Sequence, residues 1–288
     1  MPTSTHTEPD LDRPDQQDAA AFAAAWEQWH AAHERRRADP HGFLAVTHLH
    51  WLGAEPSRLE GVPGIWSVQD DAVTVVLEAG ESLLRDGREL TADGVTAVVF
   101  DPIAEREGII LTAGPAVVEL AKRGGEYIVR PRHPENPLLN EYRGTPAYAP
   151  DQRFAVEGVY VPFESPRPTT VGAAVEGIVH VYEAPGEIRF ELDGRNLTLT
   201  AFNGHAPGTL SVLFTDATSG KTTYAANRSL TVGAPDADGR VTLDFNRAVN
   251  LPCAYTDLAT CPLPPAENRL PVAIEAGEQI PHERQAGQ

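Results

Sequence analysis

Residues 242–278 read TLDFNRAVNLPCAYTDLATCPLPPAENRLPVAIEAGE, and this C-terminal segment decides how the rest of the chain must be arranged. It contains both cysteines, three asparagines and five prolines, together with short apolar runs. A disordered segment would lack the apolar side chains that fill a core, so Phe245, Tyr255 and Ile274 indicate order. We therefore predict a long, ordered, proline-rich C-terminal loop that closes over a β-rich body.

Upstream of the C-terminal segment, short apolar runs alternate with turn signals. The runs between residues 61 and 130 lie too close together for crossover helices, which favours antiparallel pairing. Residues 188–192 alternate apolar and charged side chains, and Asp193-Gly194 then turns the chain into the apolar run 197–202, which predicts a hairpin. The sequence thus predicts a mainly β fold of antiparallel, barrel- or sandwich-like sheets.

One amphipathic helix precedes the strands. Phe22, Trp26 and Trp29 recur at helical spacing, which places them on one face, and Pro40 stops the helix. We expect this face to be buried against the β body, with a partner chain as the second choice.

The expected organisation has five parts. They are a disordered tail (1–16), the N-terminal helix (17–40), a first β region (41–130), a connector (131–152) and a second β region with the C-terminal segment (153–288). Residues 41–288 could also form one domain.

Composition excludes several function classes. The chain has 288 residues and a formal net charge of −18. Nucleic-acid binding depends on Lys and Arg that neutralise phosphates, so we expect no nucleic-acid partner. No apolar run is long enough to span a membrane, and the first residues lack the pattern of a signal peptide. We expect a cytoplasmic protein without a membrane partner; the composition specifies neither a cofactor nor an oligomeric state.

The C-terminal segment also carries a family resemblance. Together with residues 214–224 (FTDATSGKTTY) and Asn227-Arg228, it resembles the domain-of-unknown-function 1684 family, DUF1684. The resemblance covers most of the chain and is strongest from Phe154 onward. One departure is Leu251, where the family tends to place a second proline. Because the family has no established activity, the resemblance implies no catalytic residue.

The candidate ligand-binding residues lie in or near the C-terminal segment. Tyr224, Arg228, Asp244 and Asn246 are expected to line one pocket at the end of the strand that finishes near Phe245. Further candidates are Asn250 and Arg269. Catalytic fingerprints of the common enzyme classes are absent from the sequence.

Each of these candidates has a structural alternative. Arg228 and Arg269 could grip a carboxylate ligand, because a guanidinium binds carboxylates in a bidentate manner. They could instead pair with Asp244, Glu275 or Glu278 and hold the loop down. Asparagines in proline-rich loops commonly satisfy unpaired backbone groups.

The two cysteines are eight residues apart, and their role stays open between four alternatives. Cys253 and Cys261 could be buried thiols, a disulfide, a metal pair or reactive groups. A metal pair would need further ligands, and only Asp257 lies between them, so we expect no metal at this pair.

These patterns favour a small-molecule-binding protein with its site under the C-terminal segment, and its enzymatic status stays open. Arg130, Arg132 and His133 form a local positive group that could attract an anionic metabolite. Pairing of this group with Glu135 or Glu141 is the alternative. Two other classes compete: a non-catalytic structural or interaction module, and a thiol- or metal-dependent enzyme that uses Cys253 and Cys261.

Overall fold

A computed structural model describes residues 14–91 and 94–285. The described part of the chain begins with helix α1, Pro14–Arg37. The first ten strands are β1 His50–Trp51, β2 Ser57–Arg58, β3 Ile65–Gln69, β4 Ala72–Leu77, β5 Leu84–Arg85, β6 Arg88–Glu89, β7 Thr96–Phe100, β8 Gly108–Ala113, β9 Ala116–Arg123 and β10 Glu126–Arg132.

A short helix separates these strands from the second half of the chain. Helix α2, Pro137–Glu141, is followed by β11 Ala155–Gly172, β12 Val179–Leu192, β13 Arg195–Asn203, β14 Leu210–Phe214, β15 Arg228–Val232 and β16 Arg240–Asp244. After β16 the described chain continues to residue 285 with single helical turns and isolated bridges. The predicted ordered C-terminal loop is therefore confirmed.

The strands form three antiparallel sheets. Sheet I has the order β1-β10-β9-β8-β5-β6, sheet II the order β15-β14-β13-β12-β11-β16, and sheet III the order β2-β3-β4-β7. Strands β15 and β16, at opposite edges of sheet II, approach each other, so this sheet curls towards a half-barrel. The predicted mainly β, antiparallel fold is confirmed.

Alternating side chains generate two main cores. Sheets I and III enclose one of them, in which β4 buries every second residue, from Val73 through Val75 to Leu77. The second lies inside sheet II and includes Ile188, Phe190 and residues of the C-terminal segment such as Ile274. The C-terminal segment is therefore part of the second core.

The turn between β12 and β13 shows why local sequence predicts this hairpin. Asp193 and Gly194 have φ angles of 51° and 71°. These positive angles match the twist of a two-residue hairpin turn, and asparagine, aspartate and glycine tolerate them best. Leu192 then pairs with Arg195 and Phe190 with Leu197.

The hairpin of β11 and β12 connects the two halves of the molecule. Its strands have 18 and 14 residues, with an irregularity between Pro162 and Arg167. Its tip reaches sheet I, where a Cβ on Gly124 would lie 3.0 Å from the Ile178 side chain. Residues 155–172 belong to the predicted second β region, but the patterns above identify no individual strand there; each proline in β11 removes a ladder hydrogen bond.

Helix α1 packs against the second half of the chain. The Trp26 indole donates to the Asn246 carbonyl at 2.7 Å, and Arg37 pairs with Glu278. Phe22, Trp26 and Trp29 are half-buried, in contrast to the fully buried stripe that we expected. Because the three rings keep part of their surface exposed, they cover the edge of the body and do not enter its core.

Two boundaries differ from the expectation. Residues 1–13 of the predicted disordered tail lie outside the described residues, and α1 already includes residues 14–16. The predicted connector contains the end of β10 and helix α2. Within the described part of the chain, no helix combines the length and apolarity that crossing a membrane requires.

Candidate functional site

Arg228, on β15, is a buried ion-pair partner. Its Nη2 lies 2.6 Å from Oδ2 of Asp216 and donates to the Ile274 carbonyl at 3.0 Å, while Nη1 donates to the Ala276 carbonyl. The guanidinium also lies 5.2 Å from the centre of the Phe214 ring. Arg228 therefore attaches the C-terminal segment to sheet II, and its carboxylate partner is Asp216, not the expected Asp244, Glu275 or Glu278.

Asp244 and Asn246 organise the end of β16. The Asn246 side chain accepts the Asp151 N–H at 2.8 Å and donates to the Asp151 carbonyl at 2.9 Å, as a neighbouring strand would. Asp244 accepts from the Asn246 side chain at 2.9 Å and lies 3.0 Å from Nε of Arg247. This pair therefore holds the chain at Asp151 to the C-terminal segment.

Asn268 and Arg269 lie next to each other but differ in exposure. The buried Asn268 accepts the Thr200 N–H at 2.7 Å and donates to the Thr200 and Leu213 carbonyls. Arg269 pairs with Thr215 through its backbone, and its side chain is exposed. The structure thus separates Arg269 from the buried Arg228.

Glu278 is the centre of a buried polar network between α1 and the C-terminal segment. Its carboxylate lies 2.7 Å from Nη1 of Arg37 and 3.3 Å from Nε2 of His33, and it accepts the Asn250 N–H at 2.6 Å. Gly277 is required beside it, because its φ is +73° and a Cβ there would lie 2.6 Å from a backbone oxygen. Asn250, a predicted ligand residue, is therefore part of this network.

Electrostatics keeps Glu278 ionised. Burial would raise the pKa of its carboxyl group, but the His33 contact and the Arg37 charge outweigh burial and hold this pKa below its ordinary value. Burial raises the pKa of the adjacent Tyr255 hydroxyl, which therefore stays protonated and exchanges a hydrogen bond with Thr145 at 2.6 Å.

The same network contains the one group among the described residues with the composition of a metal site. Ligand atoms of His33, Glu34 and Glu278 lie within 4.8 Å of one another. Arg37 lies among them, with Nη2 at 2.6 Å from His33 Nε2 and Nη1 at 3.3 Å from Glu34. This guanidinium already supplies the positive charge, so the group gives no support for a metal.

Cys253 and Cys261 are buried free thiols in contact. The Cys253 N–H donates to Sγ of Cys261 at 3.3 Å, and the Tyr224 hydroxyl donates to the Cys253 carbonyl at 2.8 Å. Burial raises the pKa of Tyr224 to about 12, so its hydroxyl remains a donor. Tyr224 therefore belongs to the thiol pair and not to the surroundings of Arg228.

A groove lies between α1 and the chain that precedes β11. Its volume is about 540 Å³, and Phe22, Tyr148, Asp151, Arg153 and Glu275 are among its lining residues. The groove is open, and its charged lining consists of the carboxylates of Asp151 and Glu275 and the guanidinium of Arg153. Asn246 holds its floor through Asp151.

A second charged cluster lies on sheet I, where Arg123, Arg130 and Arg132 surround Glu119; we call it the arginine cluster. The Glu119 carboxylate lies 3.1 Å from Arg123 and 2.7 Å from Arg130, and Arg132 also pairs with it. Arg130 and Glu119 are direct cross-strand partners. The sequence offered Glu135 or Glu141 as partners of Arg130 and Arg132. In the structure, both arginines pair with Glu119 instead.

The arginine cluster borders the C-terminal segment. The charge of Arg130 acts on the Cys261 thiol. Burial lowers the pKa of Arg123, and the neighbouring Arg130 charge adds to this effect. The cluster therefore combines restricted solvation with like-charge repulsion.

Glu119→Gln is expected to remove the part of the acid sensitivity that Glu119 contributes. Burial opposes ionisation of Glu119, but Arg130 and Arg132 outweigh it and lower its pKa from 4.5 to about 2. The carboxylate thus contributes about 3 kcal/mol above pH 4.5, which is lost as the pH falls towards 2. Urea unfolding from pH 6 to pH 2 should show the difference between wild type and variant shrinking over that window.

The matched control for this experiment is Glu126→Gln, an exposed carboxyl group at the start of β10. Its unfolding curve should follow that of wild type at every pH. A constant difference between wild type and Glu119→Gln over the same pH range would contradict the assignment.

The fold and these clusters define a mainly β, acidic protein whose C-terminal segment is held by buried ion pairs. Residues 140–279 match the sequence profile of the family described as a protein of unknown function, DUF1684. The chain belongs to this family, as its C-terminal segment indicated.

A solved structure is also similar to this chain. The solution NMR structure of an uncharacterised protein of Haloarcula marismortui is 34% identical, and the match covers 49% of this chain and 78% of that chain, with a TM-score of 0.41. Comparison with curated proteins gives no match.

Three residues that organise these clusters were missed from the sequence. Arg37 looked like a surface cation at a helix end, and Asp216 like a turn residue, but they are only 5% and 7% exposed. Glu119 is a charged residue in an otherwise apolar run, VVEL, at positions 117–120. A carboxylate within a buried strand requires a cation, so this signal could have identified the cluster.

Proposed function

We propose that this protein binds a small anionic molecule at the arginine cluster. The observation that supports this proposal is a local excess of positive charge: three guanidinium groups share the Glu119 carboxylate in a chain of net charge −18. The exposed Glu105 also acts on Arg123, and one positive charge remains in excess when it is included. An anion would relieve the repulsion between the guanidinium groups.

The arginine side chains are partly accessible. Those of Arg123, Arg130 and Arg132 are 15%, 13% and 22% exposed. Nε of Arg132 is buried and has no hydrogen-bond partner among the described residues. Guanidinium groups bind carboxylates and phosphates through paired, parallel hydrogen bonds. These features favour a carboxylated or phosphorylated ligand of small size.

Charge distinguishes this cluster from the groove beside α1. The groove presents Asp151 and Glu275 against Arg153, and Arg153 already lies 3.7 Å from Asp151. An anion would be repelled there. We therefore place the anion at the arginine cluster, and assign Arg228, Asp244, Asn246 and Asn250 to holding the C-terminal segment.

Inorganic phosphate is the probe that tests this proposal. Equilibrium dialysis at constant ionic strength should give saturable binding to wild type. Arg123→Gln should weaken it about tenfold, as expected for the loss of one charged hydrogen-bonding partner. Glu119→Gln should strengthen it, because the competing carboxylate is removed.

The matched control is Arg189→Gln, which removes an exposed arginine paired with Glu187 on sheet II. It should bind phosphate as wild type does. Equal weakening by Arg123→Gln and Arg189→Gln would show a non-specific charge effect and overturn the proposal. The absence of saturable binding to wild type would do the same.

A structural or interaction module is the second candidate. It is favoured by one observation: Arg228, Asn246 and Asn268 direct their hydrogen bonds to groups of this same chain. In that case the charge pairs only hold the two halves together. Phosphate would then show no saturable binding, and it would leave the thermal stability unchanged at constant ionic strength.

A further inference from the structure

The thiol pair is the most organised reactive group outside the arginine cluster. Cys253 and Cys261 are 2% and 7% exposed, and both are free. The side chain of Cys261 lies against the Cys253 backbone, with 3.3 Å between Sγ and N. The two side chains belong to the same small buried cluster, which brings the thiols together.

The chain around Cys261 is fixed at three consecutive carbonyl groups. His180 Nε2 donates to the Thr260 carbonyl at 3.0 Å, the Ala174 N–H to the Cys261 carbonyl at 2.8 Å, and Asn227 Nδ2 to the Pro262 carbonyl at 2.7 Å. The donors come from β12, the hairpin tip and the chain before β15. Cys261 is therefore held from three sides.

Cys253 is held by a separate set of contacts. Its carbonyl accepts from the Tyr224 hydroxyl at 2.8 Å and from Nη1 of Arg284 at 2.5 Å. Arg284 also pairs with Asp257. The two cysteines are thus held by separate sets of contacts, and the bond from the Cys253 N–H to Cys261 Sγ joins them directly.

The two thiols differ in acidity. The hydrogen bond from the Cys261 thiol lowers the pKa of Cys253, and the Arg284 charge adds to this effect. The same bond and burial raise the pKa of Cys261 well above its ordinary value. Since thiolates are the nucleophilic form, Cys253 is the thiol that reacts first.

We propose that Cys253 and Cys261 are a redox modification site, which hydrogen peroxide converts into a reversible intramolecular disulfide. The Cys253 thiolate attacks one peroxide oxygen, the O–O bond breaks, and the leaving hydroxide takes up a proton to give water and a sulfenic acid. Cys261 sulfur then attacks Cys253 sulfur, the S–O bond breaks, and a second water leaves with the Cys261 proton. Hydrogen peroxide accepts the two electrons that the thiols lose. Two thiols and one peroxide therefore give one disulfide and two waters.

Two other uses of the pair have less support. Among the described residues, the His, Cys, Asp and Glu group with metal-ligand spacing lies at Glu278 and not at the thiols. A substrate larger than peroxide would need more opening of the cover formed by Tyr224 and Leu251, which pack against the thiols. An oxidant little larger than water needs the smallest opening.

Peroxide titration of the reduced, full-length protein tests the proposal. One equivalent should reduce the number of free thiols from two to zero, measured with a thiol reagent after denaturation. The intact mass should fall by that of two hydrogen atoms, and peptide mapping should join residues 253 and 261. Dithiothreitol should restore both thiols.

Single variants assign the order of the two steps. Cys261→Ser should stop at the Cys253 sulfenic acid, which dimedone traps, whereas Cys253→Ser should react at least tenfold more slowly. If either variant fails to fold, the wild-type masses still decide: oxygen added to one cysteine without a cross-link overturns the proposal. A disulfide between two chains, or thiols that resist peroxide in the folded protein, also overturns it.

Discussion

Arg228→Ala is expected to lower the free energy of unfolding by about 3–5 kcal/mol, because removal of one partner leaves a buried charge uncompensated. Arg228 and Asp216 have side chains that are 1% and 0% exposed. The carbonyls of Ile274 and Ala276 would lose their donor as well. Urea unfolding at pH 7, followed by circular dichroism, measures the change.

Two further variants separate charge from geometry at this position. Arg228→Lys keeps the charge but cannot reach Asp216 and both carbonyls together, so it should lose an intermediate amount. Arg269→Ala, on the same segment but exposed, should change stability by less than about 0.5 kcal/mol. If Arg228→Ala loses no more than this control, Arg228 does not hold the C-terminal segment.

Glu278→Ala is expected to lower the free energy of unfolding by a similar amount, about 3–5 kcal/mol, because it removes the buried partner of Arg37 and leaves only the partly exposed Glu34 beside this charge. The Arg37 and Glu278 side chains are 2% and 1% exposed. The Asn250 N–H would also lose its acceptor. The same unfolding experiment measures the loss, with Glu275→Ala, an exposed neighbour, as the control.

A double-mutant cycle with Arg37→Met identifies the source of this loss. Once Glu278 is absent, removal of the Arg37 charge should restore part of the stability, since the uncompensated charge disappears. The pKa of Glu278 is held below its ordinary value, so its stabilising effect is fully present when the pH is above that ordinary pKa. The effect disappears as the pH falls through the lowered pKa. Strictly additive losses from the two substitutions would refute direct coupling.

Local patterns account for the parts of the fold that the sequence predicts. The hairpin of β12 and β13 follows from alternation and from Asp193-Gly194, because both act between near neighbours. Local patterns identified no individual strand at β11, which contains Pro162 and Pro168 and lies in the predicted second β region. Both prolines lie where β11 pairs with β12 alone, and a register irregularity follows Pro162. Proline is tolerated at such positions, but a local pattern does not encode this pairing.

The candidate site was predicted less completely than the fold. The C-terminal segment was correctly identified as ordered, yet the partner of Arg228 is Asp216, on the turn after β14. Any of several carboxylates could have been chosen from the sequence, because ion pairing depends on distance in space. The arginine cluster required knowledge that β9 and β10 pair in the register that joins Glu119 to Arg130.

The attachment of α1 to Glu278 has a consequence for synthesis on the ribosome. The two partners Arg37 and Glu278 are 241 residues apart, so the helix is made long before its acceptor. At about 5–20 residues per second, this interval lasts roughly 12–50 s. During that time the nascent helix cannot pair with Glu278, and its aromatic stripe stays exposed. The helix can dock fully only after the C-terminal segment has emerged.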